Sequence, residues 1–223
     1  MQIDAIAIDG PAGAGKSTVS KMVAKRLGFA FLDTGAMYRC VALEAIRIGV
    51  DFHDEQRVTE IADKIEIRFE PGDPQRVFLN DNEVTNEIRT QQVGEGASIV
   101  STFVDVRASL VRRQKQISER GKVVMEGRDT TTVVCPLAKV KIFLTASAEE
   151  RARRRTLELE QRGEEASYST ILREIIERDE RDTERANSPL MVAPGAVVIN
   201  TDDLTIQDVV EQIVAVYHNS ESA

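Results

Sequence analysis

Residues suited to soft-metal binding or proton relay are scarce in this 223-residue chain, which has two cysteines and two histidines. Cys40 and Cys135 are too few for a disulfide framework or a zinc site, and both stand in apolar surroundings where a buried, reduced thiol is expected. His53 and His218 stand in polar, peripheral stretches and are assigned no role. Positive charge is in deficit: 29 Lys and Arg against 37 Asp and Glu leave a net charge of −8. That balance argues against a DNA- or RNA-binding surface, which shows a basic excess. No segment reaches the ~18 uncharged apolar residues of a membrane span. The first hydrophobic run is interrupted by Asp4 and Asp9 and follows no basic region, so a secretory signal is not expected either. Internal repeats and low-complexity segments are also missing. These absences leave the expectation of a cytoplasmic protein whose partners are small molecules.

What is present is ordinary for a globular chain: 42% hydrophobic and 30% charged residues, with enough length to bury a substantial core. Residues 3–9 form a continuous apolar run of the kind buried on both faces of a parallel sheet. Val19, Val23, Ala24 and Leu27 recur at helical spacing, and Gly28 is placed to end that helix. A second apolar run, 29–32, stops at Asp33-Thr34-Gly35, and Met37, Val41, Ala42 and Ile46 mark the next helix. Strands of the same buried type are predicted at 123–125, 140–144 and 196–199. Five such strands separated by helices give an α/β fold with a parallel sheet, whose ligands bind at the carboxyl ends of the strands.

The interval 62–89 breaks this rhythm. Ile65, Ile67 and Phe69, then Val77 and Leu79, then Val84 alternate with period two, separated by Pro71-Gly72-Asp73-Pro74 and by Asn80-Asp81-Asn82. An inserted antiparallel sheet and an ordinary surface excursion fit this pattern equally. Helices are predicted over 91–103, 104–119 and 205–217, the last with Ile206, Val209, Val210, Ile213 and Val214 on its inner face. Between residues 151 and 185 stand nine arginines and no lysine, interleaved with acidic residues. Most of these suit solvated helices laced with i,i+4 ion pairs, yet a planar guanidinium fork also holds phosphate where lysine is only a point charge. Arg162-Gly163-Glu164-Glu165 makes a polar break suited to the tip of a lid.

The strongest signal is Gly10-Pro11-Ala12-Gly13-Ala14-Gly15-Lys16-Ser17, followed by Thr18, which fits the phosphate-binding pattern G-x-x-x-x-G-K-[ST] between a strand and a helix. The glycines let backbone amides curl around a polyphosphate, and the new helix aims its positive end at the anion. Lys16 is expected to reach the β- and γ-phosphates and Ser17 to offer its hydroxyl to Mg²⁺. The active edge of the sheet then collects Asp33 to Arg39, Glu126-Gly127-Arg128-Asp129, the arginines Arg107, Arg112 and Arg113, and the set Arg178, Asp182 and Arg185. Arginines converging with carboxylates suit an enzyme that holds two phosphorylated molecules end to end. Phosphoryl transfer needs positioning and charge neutralisation, so the lack of a catalytic histidine is no objection.

The motifs Asp9 to Ser17, Leu32-Asp33-Thr34-Gly35-Ala36-Met37-Tyr38-Arg39, Glu87-Ile88-Arg89-Thr90, Glu126-Gly127-Arg128-Asp129, Val140-Lys141-Ile142-Phe143-Leu144 and Glu177-Arg178-Asp179-Glu180-Arg181-Asp182, in this order, resemble the bacterial cytidylate kinases over almost the whole chain. The resemblance implies a P-loop three-layer sandwich with a five-stranded parallel sheet, an inserted antiparallel subdomain that binds the nucleoside monophosphate, and a helical lid. In numbers, it implies one domain of 1–223 with the insertion at 62–103 and the lid at 151–167. It further implies transfer of the γ-phosphoryl group of ATP to CMP or dCMP with Mg²⁺. Charge and hydropathy add the expectation of a cytoplasmic protein without nucleic-acid or membrane partners, and a monomer is expected. For ATP it assigns Gly10, Ala12, Gly13, Ala14, Gly15, Lys16, Ser17, Thr18 and Arg154. For cytosine it assigns Thr34, Arg107 and Asp129, for the CMP phosphate Arg39, Arg128 and Arg185, and for the sugar Ser98 and Asp182. Lys16, Arg128, Arg178 and Arg185 are the implied catalytic residues; Ser17 is the expected metal ligand, and Asp33 fits either a contact to Mg²⁺ through water or a salt bridge.

The chain departs from the family pattern in two places. Thr131 stands where the family carries glycine, which is harmless only if the backbone there has negative φ. No unmistakable Walker B aspartate ends a strand. Rival readings are a kinase for UMP, AMP or shikimate, or a nucleotide-dependent switch; the chain lacks the N-K-x-D motif of a guanine-reading switch.

Overall fold

In the computed structural model, residues 2–72, 75–161, 163 and 165–221 are described. Asp73 and Pro74 of the expected turn, and Arg162 and Glu164 of the expected lid tip, lie outside them. In chain order the elements are β1 (Ile3–Asp9), α1 (Lys16–Leu27), β2 (Ala30–Asp33), α2 (Thr34–Arg47), α3 (Glu55–Lys64), β3 (Ile67–Glu70), β4 (Arg76–Leu79), β5 (Asn82–Glu83), a 3₁₀ turn (Glu87–Arg89), α4 (Gln91–Val100) and α5 (Val104–Ser118). There follow β6 (Val123–Gly127), a single π-helical turn (Thr130–Val134), β7 (Ala138–Thr145), α6 (Ala148–Gln161), α7 (Tyr168–Glu184), β8 (Val197–Asn200) and α8 (Ile206–Glu221). The chain divides into two compact units, residues 1–31 with 120–223, and residues 32–119. No helix of the described residues is long and apolar enough to cross a membrane.

The first unit is built on a five-stranded parallel sheet in the order β2-β6-β1-β7-β8. β1 lies at its centre, paired in parallel with β6 on one side and β7 on the other, so that Asp9 stands opposite both Gly127 and Phe143. A strand covered on both faces has no polar side to present, which explains the unbroken apolar run of Ala5, Ile6, Ala7 and Ile8, none of them exposed. Val19, Val23 and Ala24 of α1 and Val209, Val210, Ile213 and Val214 of α8 share one core with Ile6, Ile8, Ile142 and Leu144. Burying each of the large aliphatic side chains contributes about 1.5–3 kcal/mol. Tyr217 of α8 packs its ring edge-on against Phe29 at 5.4 Å and donates its hydroxyl to Asp4 Oδ1 at 2.8 Å.

The second unit packs Met37, Val41 and Ala45 of α2 with Val58 and Ile61 of α3, Val93 and Val100 of α4, and Val106 and Leu110 of α5. Its three-stranded antiparallel sheet, β3-β4-β5, settles the ambiguous interval in favour of a real sheet. Asn80 and Asp81 both have positive φ, 47° and 66°, the pairing that a two-residue hairpin turn of the right twist demands. Ile67 and Phe69 stand opposite Leu79 and Val77, so the alternation read in the sequence is the buried face of this hairpin. α3 is an addition to the sequence reading. Only Val58, Ile61 and Ala62 of it are buried, too short a stripe to stand out, and Asp54 caps it by accepting from the amide of Arg57 at 3.1 Å. α4 stops at Val100 rather than 103, because Phe103 takes extended φ and ψ as the cap of α5.

Candidate active site

The loop after β1 has the properties of an anion seat. A Cβ on Gly10 would fall 1.9 Å from the carbonyl oxygen of Leu144, so only glycine lets the chain leave β1 alongside β7. Gly15, at φ 86°, caps α1 without any side-chain bond, and the first turn of α1 holds no acidic residue. Its leading amides are therefore left for a ligand, and the helix dipole favours a negative one. Ala14 and Lys16 are buried, Ala12 and Gly15 half-buried, and Gly13, Ser17 and Thr18 exposed. Lys16 Nζ donates to the Pro11 carbonyl at 2.7 Å, which holds the side chain over the loop. Burial, with the Arg128 charge next, brings its ammonium down to about 7, against the opposing pull of Glu126 and Asp9.

The same unit collects the other charged groups around Lys16. Arg128 donates from Nε to Asp182 Oδ2 at 2.9 Å and from Nη1 to the carbonyl of Gly127 at 3.1 Å. Burial works to raise the Asp182 carboxyl, but the charges of Arg128, Arg178 and Arg185 win and hold it below the usual range. Arg178 also acts on Lys16, so one electrostatic group spans the phosphate loop, the end of β6 and α7. Arg185, at the carboxyl end of α7, donates from Nε to the carbonyl of Ser188 at 2.7 Å. Asp129 is buried, and its carbonyl accepts from the amides of Val133 and Val134 to open the π-helical turn.

Thr34, Arg39, Ser98 and Arg107 belong to the second unit. Thr34 is buried at the first position of α2, and Ser98 is buried on α4. Arg39 donates to the carbonyl of Ile88 at 2.7 Å, and a Cβ on Gly94 would come within 3.1 Å of its Nη2. Arg107 is buried, donates to the carbonyl of Ser101 at 3.1 Å and lies 5.6 Å over the ring of Tyr38. Arg113, grouped by sequence with the phosphate-facing arginines, instead closes the end of α3 by donating to the carbonyls of Ile65, Ala62 and Asp63. Arg112 is exposed.

The family model for cytidylate kinase matches residues 6–219 of the chain. The chain belongs to the cytidylate kinase family. It is 50% identical over 208 residues to the cytidylate kinase of Caldanaerobacter subterraneus subsp. tengcongensis, covering 93% of this chain and 92% of that one. It is 46% identical over 218 residues to the cytidylate kinase of Leuconostoc mesenteroides subsp. mesenteroides, covering 97% of each. Among solved structures, a shikimate kinase from Bacteroides thetaiotaomicron superposes with a TM-score of 0.51 at 13% identity, covering 97% of this chain and 99% of that one. That likeness shows the fold alone.

Against the family pattern, Thr131 needs none of glycine's backbone freedom. The described non-glycine residues with positive φ are Asn80, Asp81, Lys122 and Ser188, and Thr131 is not among them. Asp33 has both oxygens engaged: Oδ1 accepts from the amide of Ala36 at 2.9 Å, capping α2, and Oδ2 pairs with Arg89 at 2.8 Å. Burial raises the Asp33 carboxyl, and the Arg89 charge overcomes it to leave a net lowering. The salt-bridge reading of Asp33 is the one this geometry shows, with a helix cap added to it. Arg154 is likewise tied down, to Glu150 Oε1 at 2.8 Å and to Thr201 Oγ1 and carbonyl at 3.0 and 2.6 Å, fastening α6 to the loop after β8.

No group of three or more His, Cys, Asp or Glu able to hold a metal occurs among the described residues. Mg²⁺ with ATP needs none, since it keeps several waters and takes one or two protein oxygens beside the phosphates. The exposed Ser17 hydroxyl at the start of α1 fits that requirement. Sequence reasoning missed two arrangements at the phosphate loop. Arg151, buried, donates to the carbonyl of Ala12 and to Asp179, and Asp9 is bound by Thr130 and Thr131. Their partners are far apart in sequence, and the run of nine arginines gave no reason to single out Arg151.

Proposed function

We propose that this chain transfers the γ-phosphoryl group of ATP to CMP or dCMP, giving ADP and CDP or dCDP. The continuous match to the family model over residues 6–219, which takes in the phosphate loop and every residue assigned to the acceptor, carries this reading. The open amides of α1 and Lys16 hold the β- and γ-phosphates, and Arg128, Arg178 and Arg185 neutralise charge on the group in transfer. The Ser17 hydroxyl would hold Mg²⁺ beside the phosphates, and the ion would supply further charge neutralisation there. Thr34, Arg107 and Asp129 read the cytosine: a carboxylate accepts from the exocyclic amine of cytosine, which uracil lacks. Arg39, Arg128 and Arg185 hold the acceptor phosphate, and Ser98 and Asp182 the sugar. Residues 151–167 act as a lid that excludes water, since an open site loses ATP to hydrolysis. Two free, buried cysteines and the acidic charge balance support a cytoplasmic enzyme without nucleic-acid partners, and one chain carries every assigned residue, as a monomer requires.

A coupled ADP-release assay with ATP and CMP, dCMP, UMP, AMP, GMP or shikimate tests the reading. CMP and dCMP are expected to give the highest kcat/KM. A higher value for any other acceptor, or ADP release that needs no acceptor, overturns it. Asp129→Asn is expected to narrow the ratio of kcat/KM between CMP and UMP, and an unchanged ratio removes Asp129 from the cytosine contact.

A further inference from the structure

The end of β1 carries a carboxylate to which phosphoryl transfer assigns no step. Asp9 has no exposed surface and accepts four hydrogen bonds. Oδ1 takes the amide and hydroxyl of Thr130 at 2.8 and 2.7 Å, and Oδ2 takes the amide and hydroxyl of Thr131 at 2.7 and 2.5 Å. Any two residues supply the two amides; the two hydroxyls are a choice of side chain. Burying a carboxylate is costly unless such donors surround it, so four donors on one group mark a junction that the fold maintains against that cost.

The junction's place in the chain gives it meaning. On one side of Asp9 the phosphate loop begins at Gly10, where close approach to the Leu144 carbonyl leaves no room for a side chain. On the other side β6 is held in register through Gly127, which pairs with Asp9 itself. Between Gly127 and Thr130 lie only Arg128 and Asp129, so this two-residue span is pinned at one end by the β-ladder and at the other by the Asp9 carboxylate. Arg128 leaves the span to pair with Asp182 at 2.9 Å. We propose that Asp9 and Thr131 are a positioning pair, in which the Thr131 hydroxyl fixes the carboxylate that sets Arg128 and Asp129 relative to the phosphate loop. The proposal rests on the cytidylate reading, because Arg128 and Asp129 are the residues assigned there to the acceptor.

A displaced positioning group costs up to about a hundredfold in rate, and losing one of four donors is expected to cost less. Thr131→Val keeps the shape and the amide while removing the hydroxyl; Thr131→Ser restores it. Both variants and the wild type are assayed below their unfolding midpoints, with the folded fraction checked by circular dichroism. We expect Thr131→Val to lower kcat/KM for CMP roughly tenfold, through both kcat and the KM for CMP. Its Kd for a non-hydrolysable ATP analogue is expected to stay within about threefold, because Gly10 is pinned independently against Leu144. Thr131→Ser is expected to recover most of the loss. Asp9→Asn, which turns one acceptor into a donor facing the threonine amides, is expected to lose more than Thr131→Val. Unchanged kinetics in Thr131→Val, failure of serine to rescue, or an equal loss of ATP-analogue and CMP binding overturns the pair. If the wild type itself shows no CMP-dependent ADP release, the cytidylate reading falls and takes the catalytic meaning of the pair with it; wild-type turnover beside unaffected variants overturns the pair alone.

Discussion

Arg151 holds Asp179 with both terminal nitrogens, at 3.1 and 2.6 Å, while its Nη1 also donates to the carbonyl of Ala12 at 3.1 Å. One guanidinium thus joins α6, α7 and the phosphate loop. The arginine side chain is 5% exposed, so its charge depends on Asp179 rather than on water. Removing one partner of a buried pair costs about 3–5 kcal/mol, and the Arg151→Ala chain is expected to fall near the lower end because Asp179 remains 24% exposed. Denaturant titration checks the loss of stability. Arg151→Lys keeps the charge but not the fork, and it is expected to recover only part of that loss.

Lys16 predicts a proton linkage to nucleotide binding. Its pKa stands at about 7, from burial first and the Arg128 charge second. Phosphate oxygens brought beside it favour the charged form and raise that value. At about pH 8 the side chain is mostly neutral before binding and charged afterwards, so a proton is taken up and affinity falls as pH rises above about 7. Calorimetry of an ATP analogue at about pH 8, in two buffers of different ionisation enthalpy, is expected to show uptake of up to about one proton. Lys16→Met is expected to lose this uptake together with turnover, and an uptake that survives the substitution contradicts the linkage.

The phosphate loop was legible in the sequence because its chemistry is local: glycine freedom, a lysine at fixed spacing and a following helix all fall within one short stretch. The central sheet strands were legible for a similar reason, since β1 and β6 are buried and carry apolar runs, whereas β7 alternates buried with half-buried residues. Arginine roles were not legible to the same degree. Arg151, Arg154 and Arg113 look alike as side chains, yet one braces the phosphate loop, one grips Thr201 and one caps α3. Only the tertiary placement of their carbonyl acceptors separates them. Asp33 likewise reads as a carboxylate at an active edge until Arg89 and the amide of Ala36 are seen to occupy it.

Gly94 allows the acceptor assignment of Arg39 to be tested without disturbing the fold. A Cβ there would stand 3.1 and 3.2 Å from the two terminal nitrogens of Arg39, tighter than ordinary contact. Alanine also suits a helix better than glycine by about 1 kcal/mol, so Gly94→Ala is expected to leave the thermal midpoint unchanged or raise it. Its KM for CMP is expected to rise several-fold as the guanidinium shifts. Unchanged KM for CMP in a stably folded Gly94→Ala chain would falsify the placement of Arg39 on the acceptor phosphate.

Asp182 sets an acid limit on the first unit. Despite burial, Arg128, Arg178 and Arg185 hold its folded pKa below the ordinary carboxylate value of about 3.9. A lowered folded pKa means that the unfolded chain binds the proton more readily, so the stability contributed by this carboxylate is fully present above about pH 4 and is lost as pH falls through the folded value. Asp182→Asn removes the ionisable group but leaves its shape. The stability difference between wild type and Asp182→Asn is therefore expected to be constant from about pH 7 to about pH 5 and to shrink below about pH 4, as followed by denaturant midpoints. A difference that stays constant through about pH 3 shows that the three arginines do not act on Asp182 through its charge.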